Sequence, residues 1–313
     1  MRSILLLAVI SGLLLAGVLW IRPIIGEIGK PDKPVTVGRA RNPQPAGTSP
    51  LYSGVNRGPG VSQPPPAGNH TSRPAQADAA RVGITYLEKI EESLVKLTNE
   101  ARIKEGGKPL IVDEMLRDAA RGHSNDMLYR GFFDHIDPDG LNQAGRIAIY
   151  HRRLISRSTG ENILTMSGYD PSNPEKIAYE MMYGDKGWMN SPGHKKNILD
   201  TDYTHIGIGV SQQGKEIRAT QNFAQAKAYT QQPLPYQINS GGSLDLAAES
   251  TDKLRAEKYD FWSSVQGMKV GETREISDRA MAIAPGTYKL RFYFPTQGGE
   301  GLTPYWGPQI EVR

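Results

Sequence analysis

The sequence predicts an α+β protein in which a domain of mixed helices and strands is followed by a small all-β, sandwich-like domain, both behind an N-terminal transmembrane helix and a disordered tether. Three patterns support this prediction. Apolar residues recur every three or four positions from residue 84 and are followed by a strand hairpin near residue 206. Apolar and polar residues alternate near the C-terminus, as in a strand with one buried face. A long apolar run occupies the N-terminus.

The composition excludes several classes of protein. The chain has 313 residues, enough for two domains of ordinary size. It has no cysteine, which excludes disulfides, a thiolate nucleophile, iron–sulfur clusters and cysteine-ligated zinc. The formal charge is only +4, and no long run of Lys or Arg occurs. Because nucleic-acid-binding proteins carry basic patches or recognisable motifs, we expect no nucleic-acid partner.

Residues 1–26 are predicted to be an uncleaved signal anchor. Residues 4–21 are apolar or small without a break, which is long enough to span a bilayer. The main alternative is a cleaved signal peptide, although the run lacks the small residues of a cut site. A buried globular helix is a further alternative. Positive charges after the run outnumber Arg2 before it, which by the positive-inside rule argues against an exported C-terminus.

Residues 27–83 are predicted to be a disordered linker. Residues 31–80 hold ten of the 22 prolines, together with Gly, Ser, Ala, Asn and Gln, and show no apolar periodicity. Such a segment cannot bury enough surface to offset the entropy lost on ordering. We expect it to hold the following domains away from the membrane.

The middle domain, residues 84–229, is predicted to begin with two helices. Apolar residues at helical spacing predict the first over residues 84–104, and the Gly106–Gly107 pair stops it. Asp113 has the position of an N-cap for the second helix, which is predicted to end at Gly131.

Two more helices and a hairpin complete this domain. The third helix is predicted over residues 143–155, and the fourth opens at Pro174, a residue suited to the first turn of a helix. Residues 206–210 and 217–223 flank a polar turn and are predicted to pair as antiparallel strands.

Residues 232–313 are predicted to form the small all-β domain. Strand alternation is clear over residues 288–294 and returns at residues 310–312, while residues 244–246 and 268–270 are shorter strand candidates. Trp262, Tyr305 and Trp306 are interpreted either as core residues or as a binding surface for a partner protein.

Five segments of the middle domain stand out by their order and spacing: residues 120–127 (ARGHSNDM), 131–135 (GFFDH), 160–163 (GENI), 188–194 (WMNSPGH) and 205–210 (HIGIGV). They follow a helical segment with the sequence LTNEAR. Together they resemble the CAP superfamily, named for cysteine-rich secretory proteins, antigen 5 and pathogenesis-related proteins, and they look most like its cysteine-free bacterial members. The resemblance covers residues 85–225.

The resemblance implies an α-β-α sandwich with a central antiparallel sheet, located outside the cytoplasm. It also implies a cavity lined by two histidines and two glutamates. Matched by motif, three of these are His135, Glu161 and His194. The position of the second glutamate, three residues after Trp188, holds Ser191.

We therefore expect Trp188, Ser191 and His123 to line a ligand-binding cavity together with the three matched residues. Glu180 and Asp185 lie nearby in sequence and are candidates to replace the missing glutamate.

Chemistry alone allows three roles for this cluster. His135 and His194 can ligate Zn²⁺ or another divalent ion, but with two protein ligands the ion is held weakly. Glu161, paired with a histidine, can instead activate water, which makes it the candidate catalytic residue. The third role is a buried hydrogen-bonded network without a ligand. The sequence leaves these roles open, and with them whether the protein is an enzyme.

The other polar candidates are interpreted as structural. His123 lies on the apolar face of its helix and is interpreted as a core or cleft-edge residue. His205 is predicted to begin a strand. His151, beside two arginines, is predicted to be solvated. Ser191 lacks the G-x-S-x-G elbow of a serine hydrolase.

The sequence as a whole predicts a single-pass cell-membrane protein with its domains on the extracytoplasmic side. Its predicted role is a cell-envelope binding module for a small or lipidic ligand or a weakly held divalent metal. One alternative is a peptidase-like hydrolase, dependent on a metal or on the His/Glu pair, that acts on envelope substrates. A second alternative is a scaffold that binds partners through its C-terminal β domain.

Overall fold

The structure is a computed structural model that describes residues 83–170, 172–279 and 283–313. The predicted signal anchor and all of the predicted linker except Gly83 lie outside the described residues. Within the described ranges, no helix is long and apolar enough to cross a bilayer.

The strands of the described residues join into one sheet. Their bounds are β1 (Ile84–Tyr86), β2 (Ile111–Val112), β3 (Leu154–Ser167), β4 (His205–Gln213), β5 (Glu216–Thr230), β6 (Gln237–Ile238), β7 (Ala248–Ser250), β8 (Lys258–Ser263), β9 (Lys269–Glu275), β10 (Gly286–Pro295) and β11 (Leu302–Val312). The main path across the sheet is β1-β4-β5-β3-β11-β10-β8-β9, antiparallel throughout. β2 pairs with β4, β6 with β11 and β7 with β5.

Helices cover both faces of the β3-β4-β5 region. Their bounds are α1 (Glu88–Lys104), α2 (Glu114–Tyr129), α3 (Gln143–Tyr150), α4 (Pro174–Tyr183) and α5 (Pro192–Leu199). α1, α4 and α5 share one hydrophobic core with β4 and β5. α2 and α3 share another core with β3 and β5. In β4, Ile206 and Ile208 belong to the first core, whereas Gly207 and Gly209 lie against the backbone of α2. Because successive strand residues face opposite sides, the two helical layers enclose the sheet.

The first helix begins later than its apolar pattern predicts. Residues 84–86 form the edge strand β1, in which Ile84 pairs with Gln213 of β4, so the helix starts at Glu88. The predicted stop is confirmed, because α1 ends at Lys104 and Gly106 follows with a φ of 81°.

Arg102 links the end of α1 to the end of α5 by hydrogen bonds. Its fully buried guanidinium donates to the carbonyl oxygens of Ile198 and Asp200, both at 2.7 Å, and of Tyr203 at 3.3 Å. Buried charge is tolerated here because hydrogen bonds replace those it makes in water.

The second helix has its predicted cap. The Asp113 carboxylate accepts hydrogen bonds from the backbone N–H groups of Met115 and Leu116 at 2.9 and 3.0 Å. The helix ends at Tyr129, and Gly131 follows with a φ of 69°. The predicted inward face is buried: Leu116, Ala119, Ala120, His123 and Met127.

The third helix is shorter than predicted. α3 ends at Tyr150, and Ile155 lies in β3, where it pairs with Ala228 of β5 and is fully buried. The polar residues of β3 hide its strand character in the sequence, so no pattern predicted it. The fourth helix is confirmed with Asn173 as N-cap, and the hairpin of β4 and β5 is confirmed residue by residue.

The C-terminal strands extend the sheet of the middle domain. β10 and β11 confirm the predicted alternation, with Tyr288, Leu290, Phe292 and Phe294 buried on one face. β9 confirms the strand candidate near residue 269, whereas residues 244–246 form a loop whose two leucines are buried in the C-terminal core.

The described C-terminal strands do not divide into a separate pair of sheets. β11 pairs with β3 through Trp306 and Ser156. The C-terminal core also includes Ile155 of β3 and Ala228 of β5. This correction to the predicted sandwich has a physical reason, because β3 offers β11 both an edge and an apolar surface. The boundaries between domains stay a prediction.

Candidate functional site

His123 and His135, two of the residues selected from the sequence, meet at the carboxylate of Glu161, and His194 lies near His135. Glu161 lies in the middle of β3, His123 on α2, and His135 in the loop between α2 and α3. His194 lies in the first turn of α5. Gly160 lets this part of β3 pass beneath Tyr203, since a Cβ atom at residue 160 would lie 2.4 Å from the Tyr203 hydroxyl oxygen.

The Glu161 carboxylate is buried and fully engaged. Its side chain is 1% exposed; Oε1 accepts a hydrogen bond from His135 Nδ1 at 2.9 Å and Oε2 accepts one from Arg146 Nη2 at 2.7 Å. With its amide nitrogen turned toward the site, Asn222 also donates to Oε2 at 3.3 Å. Because an ionised carboxylate only accepts hydrogen bonds, His135 carries its proton on Nδ1.

Arg146 binds the loop that carries His135 as well as the carboxylate. Its two Nη atoms donate to the carbonyl oxygen of His135, both at 3.1 Å, and Nη1 donates to that of Leu141 at 2.6 Å. Neither Arg146 nor Asn222 was predicted from the sequence as a site residue. A signal for Arg146 exists, because it is a charged residue within the apolar stretch of a short helix.

His123 closes the inner side of the cluster. Its Nε2 donates to the carbonyl oxygen of Asp134 at 3.0 Å and lies 3.9 Å from Oε1 of Glu161. Because a carbonyl oxygen can only accept hydrogen bonds, the proton of the His123 ring is on Nε2, and Nδ1 is unprotonated. This Nδ1 is buried without a hydrogen-bond partner among the described residues.

A network of amides sets the position of His194. Asn162 Nδ2 donates to the carbonyl oxygen of His194 at 3.1 Å and to Gln221 Oε1 at 3.0 Å. Asn197 Nδ2 donates to Asn162 Oδ1 at 2.9 Å. The half-buried His194 ring keeps an Nδ1 atom without a hydrogen-bond partner in the described part of the chain.

The three histidines differ in charge. Burial lowers the pKa of His123 to about 4, opposed by Glu161 and assisted by Arg146. The hydrogen bond to Glu161 raises the pKa of His135, against a smaller effect of burial. Burial lowers the pKa of His194, and the neighbouring His135 lowers it further. At neutral pH the cluster therefore presents two neutral imidazoles and one that gains a proton readily.

Two of the predicted cavity residues lie outside this cluster. Trp188 is fully buried in the first core, where its Nε1 donates to the carbonyl oxygen of Ile163 at 3.2 Å. Ser191 is the partly exposed N-cap residue of α5 and its side chain makes no capping hydrogen bond. Glu180 lies on α4 and Asp185 in the exposed turn after it.

The residues present fit only a weak metal site. Over the described ranges, no group of three or more His, Asp or Glu side chains is arranged to hold a metal ion. One carboxylate oxygen of Glu161 accepts a hydrogen bond from His135 and the other accepts one from Arg146. The Arg146 guanidinium also balances the charge of the carboxylate. A divalent ion here would have the two imidazoles of His135 and His194 as protein ligands.

His151 and His205, the other two histidines among the described residues, both lie against the ring of Tyr229. The sequence predicted His151 as solvated, but it is 5% exposed; its Nε2 donates to Asp113 Oδ2 at 3.0 Å and its Nδ1 accepts from the backbone N–H of Leu154 at 3.0 Å. Burial is possible because both nitrogens are satisfied. His205 is structural as expected, with Nδ1 2.8 Å from Thr204 Oγ1.

The aromatic residues of the C-terminal part are divided between core and surface. Tyr305 packs against the C-terminal core. Trp262 and Trp306 are partly exposed and meet edge to face with 5.3 Å between ring centroids, and the Arg291 guanidinium lies 4.5 Å from the centroid of Trp262. The buried Asp260 holds Arg291 by two hydrogen bonds at 3.1 and 2.6 Å.

Comparison with known proteins identifies relatives of the middle domain. A family model described as "CAP: Cysteine-rich secretory protein family" matches residues 95–223. "Uncharacterized protein YkwD" of Bacillus subtilis (strain 168) is 34% identical over 153 residues, which are 47% of this chain and 54% of YkwD. "Uncharacterized membrane protein YlbC" of the same organism is 33% identical over 136 residues, or 42% of this chain and 34% of YlbC. The chain thus spans about half of YkwD and about a third of YlbC.

Similar solved structures include one that matches part of this chain. It is an extracellular protein containing an SCP domain from Bacillus anthracis str. Ames, 28% identical, with a TM-score of 0.35. The similar region is 44% of this chain and 40% of that protein.

Proposed function

We propose that this protein is an extracytoplasmic binding module of the cell envelope whose ligand site is the cluster of His135, Glu161 and His194. The match of residues 95–223 to the CAP family model and the absence of cysteine support this proposal. The site binds a ligand through imidazole nitrogens and breaks no bond.

The observation that carries this proposal is the 2.9 Å hydrogen bond between His135 Nδ1 and Glu161 Oε1. It fixes the ring and the tautomer of its neutral form, in which Nε2 carries the free lone pair, and the side chain is 50% exposed. A histidine whose Nδ1–H is held by a carboxylate has the usual arrangement of a metal-ligating imidazole. His194, kept neutral by its lowered pKa, supplies a second lone pair nearby.

A divalent ion such as Zn²⁺ is therefore the ligand we propose for testing. With two protein ligands, the ion keeps water or a second molecule in its other coordination positions, so it exchanges readily. Arg146 holds the carboxylate through Oε2, the oxygen that does not bind His135.

The proposed location rests on the N-terminal part of the chain and on one relative. The apolar run over residues 4–21 and the Pro-rich segment after it are typical of an anchor and a tether. YlbC, which the chain matches over part of its length, carries "membrane protein" in its name. Protease digestion of intact cells tests this location: an extracytoplasmic domain is digested from outside and a cytoplasmic one is protected.

Calorimetric titration of the full chain with ZnCl₂ tests the metal. We expect weak binding that His135→Ala and His194→Ala abolish, and that Glu161→Gln weakens about 10- to 100-fold because His135 loses its carboxylate partner. His205→Gln is the matched control, since His205 lies outside the cluster, and it should bind as the unaltered chain does. No binding by the unaltered chain, or equal loss in the control, contradicts the proposal.

A hydrolase is the second candidate, because the same His135–Glu161 pair presents a base to solvent. If the pair is catalytic, Glu161→Gln abolishes turnover of peptide or cell-wall substrates. If it serves binding and structure, Glu161→Gln leaves no activity to lose and mainly lowers the unfolding temperature.

A further inference from the structure

A second concave site lies apart from the His135 cluster. It is a cavity of about 360 Å³ between β2, the start of α2, the residue after α3, and the strands β4 and β5. That volume is within the range of small-molecule sites. None of the residues that surround Glu161 lines it.

The polar floor of this cavity is closed to a ligand. The carboxylate of Asp113 accepts hydrogen bonds from two backbone N–H groups of α2, from His151 and from the hydroxyl of Tyr229. The ring of Tyr229 lies between the two histidines, with centroid distances of 5.8 Å to His151 and 6.2 Å to His205. These groups offer ring surface, and the hydrogen bonds to the Asp113 carboxylate leave it little capacity to bind a ligand group.

The rim of the cavity is apolar and unusually exposed. Ile111 is 61% exposed, Met115 39% and Val112 38%, and all three line the cavity. Apolar side chains grouped around a concavity, unlike scattered ones, indicate a binding site.

One side of the rim carries a positive charge. Arg153 lines the cavity, its side chain is exposed, and its Nε donates to the carbonyl oxygen of Thr230 at 2.8 Å. Within the described part of the chain, no carboxylate forms an ion pair with it. Glu114, also on the rim, is paired with Arg117 at 3.0 Å. Among the described residues of the rim, the charged side chain without an ion-pair partner is therefore Arg153.

We propose that this cavity binds a small amphipathic anion, an apolar chain or ring that carries one carboxylate. The apolar part lies against Ile111, Val112 and Met115 over the ring of Tyr229, and the carboxylate lies on the Arg153 guanidinium. A guanidinium held by its own hydrogen bond loses little freedom when it takes up such a group.

The probe for the test is 4-phenylbutyrate, added to the full chain in detergent and observed by saturation-transfer NMR, with empty micelles as blank. We expect a Kd on the order of 1 mM, as for a ligand of this size with one ionic contact. 4-Phenyl-1-butanol lacks the charge and acetate lacks the apolar part, so both should bind about tenfold more weakly or not at all.

Two variants locate the site. Arg153→Gln removes the charge, and Met115→Glu brings a negative charge to the rim at a helix start that tolerates it, so each should weaken binding of the probe about tenfold. The matched controls are Arg157→Gln, another exposed arginine, and Ile103→Glu at an apolar residue 59% exposed on α1. Neither should change the affinity, and thermal unfolding checks that all four variants fold.

Three results would overturn the proposal: no binding of 4-phenylbutyrate to the unaltered chain, equal affinity for the alcohol, or an affinity that both rim variants leave unchanged. The last would place the ligand elsewhere on the protein. Zinc binding at His135 does not enter this test, so either site can fail without the other.

Discussion

Arg146 gives the candidate site its electrostatic character. The resemblance implied a second acidic side chain near His135 and His194, and the structure shows instead an arginine on the carboxylate of Glu161. One negative charge is thereby balanced inside the protein. The outward-facing group of the site is then an imidazole, which can bind a metal ion or accept a proton.

The burial of His123 predicts a loss of stability in acid. Its pKa falls from an ordinary 6.5 to about 4 in the folded protein, so between these values the unfolded chain binds a proton that the folded chain does not. Stability from this residue is complete above pH 6.5 and falls as pH drops toward 4, by about 3 kcal/mol for a shift of this size. We expect His123→Gln to lose less stability than the unaltered chain between pH 7 and pH 4 in urea unfolding.

His135→Gln is the control of opposite sign. The pKa of His135 is raised, so its contribution to stability is present at low pH and is lost as pH rises through the folded-state value. Removing it should make acidification relatively more damaging. Parallel pH profiles for His123→Gln and the unaltered chain would contradict the burial argument.

The sequence could predict which residues meet at the site better than what they do there. The motif match selected His135 and Glu161, whose side chains are hydrogen-bonded to each other in the structure. It also selected Trp188, which is spaced like a site residue but packs in the core. Arg146 was not predicted, because a lone arginine in a helix is most often a solvated residue and its place in an apolar stretch is a weak signal beside its tertiary partners.

The two glycines of β4, Gly207 and Gly209, set the distance between the sheet and α2. A Cβ atom on Gly209 would lie 2.1 Å from the backbone nitrogen of Arg121, and one on Gly207 the same distance from that of Arg117. No real contact is that short, so the helix packs directly on the bare strand backbone. Any side chain here must push the two elements apart.

Gly209→Ala is therefore expected to destabilise the protein by about 2–4 kcal/mol, a large effect for one methyl group, because neither backbone can move alone. Gly193→Ala is the matched control, since a Cβ atom there meets nothing within 4 Å in the first turn of α5. That variant should be neutral or slightly more stable. Chemical denaturation measures both, and a mild effect at Gly209 would contradict the close packing.

Element types were easier to predict than element ends. Local signals fixed the start of α2 at its cap and the end of α1 at its glycines. Two helices were predicted too long, one because it was started at Ile84 and the other because it was ended at Ile155, and the two errors have a common cause. Both residues continue a helical apolar pattern, but each pairs with a strand that is distant in sequence. Such partners cannot be read from a local window.

The sheet joins the middle and C-terminal parts of the chain. Ile155 is fully buried in a core made mostly of C-terminal residues, although it belongs to the middle part. We predict that truncation after Thr230 exposes Ile155 and the edge of β3, lowers the unfolding free energy of the remainder by about 2–4 kcal/mol and promotes aggregation. Differential scanning calorimetry of the full and truncated chains measures the change.

The control for the truncation is Val265→Ser, at a residue 82% exposed in the removed part, which should unfold as the full chain does. An unchanged unfolding temperature after truncation would show that the two parts are independent. For the same reason, point variants at Trp262 and Trp306 test a scaffold role of the C-terminal part more cleanly than its deletion does.

The guanidinium of Arg146 has a kinetic consequence. Hydrogen bonds within the protein hold Glu161, His135 and the loop between α2 and α3, so we expect little backbone rearrangement when an occupant arrives. Arrival is then limited by diffusion and departure by the few bonds that the occupant makes. We therefore expect the occupied fraction of the site to follow changes in ligand concentration quickly, and we do not expect the site to retain a ligand for long.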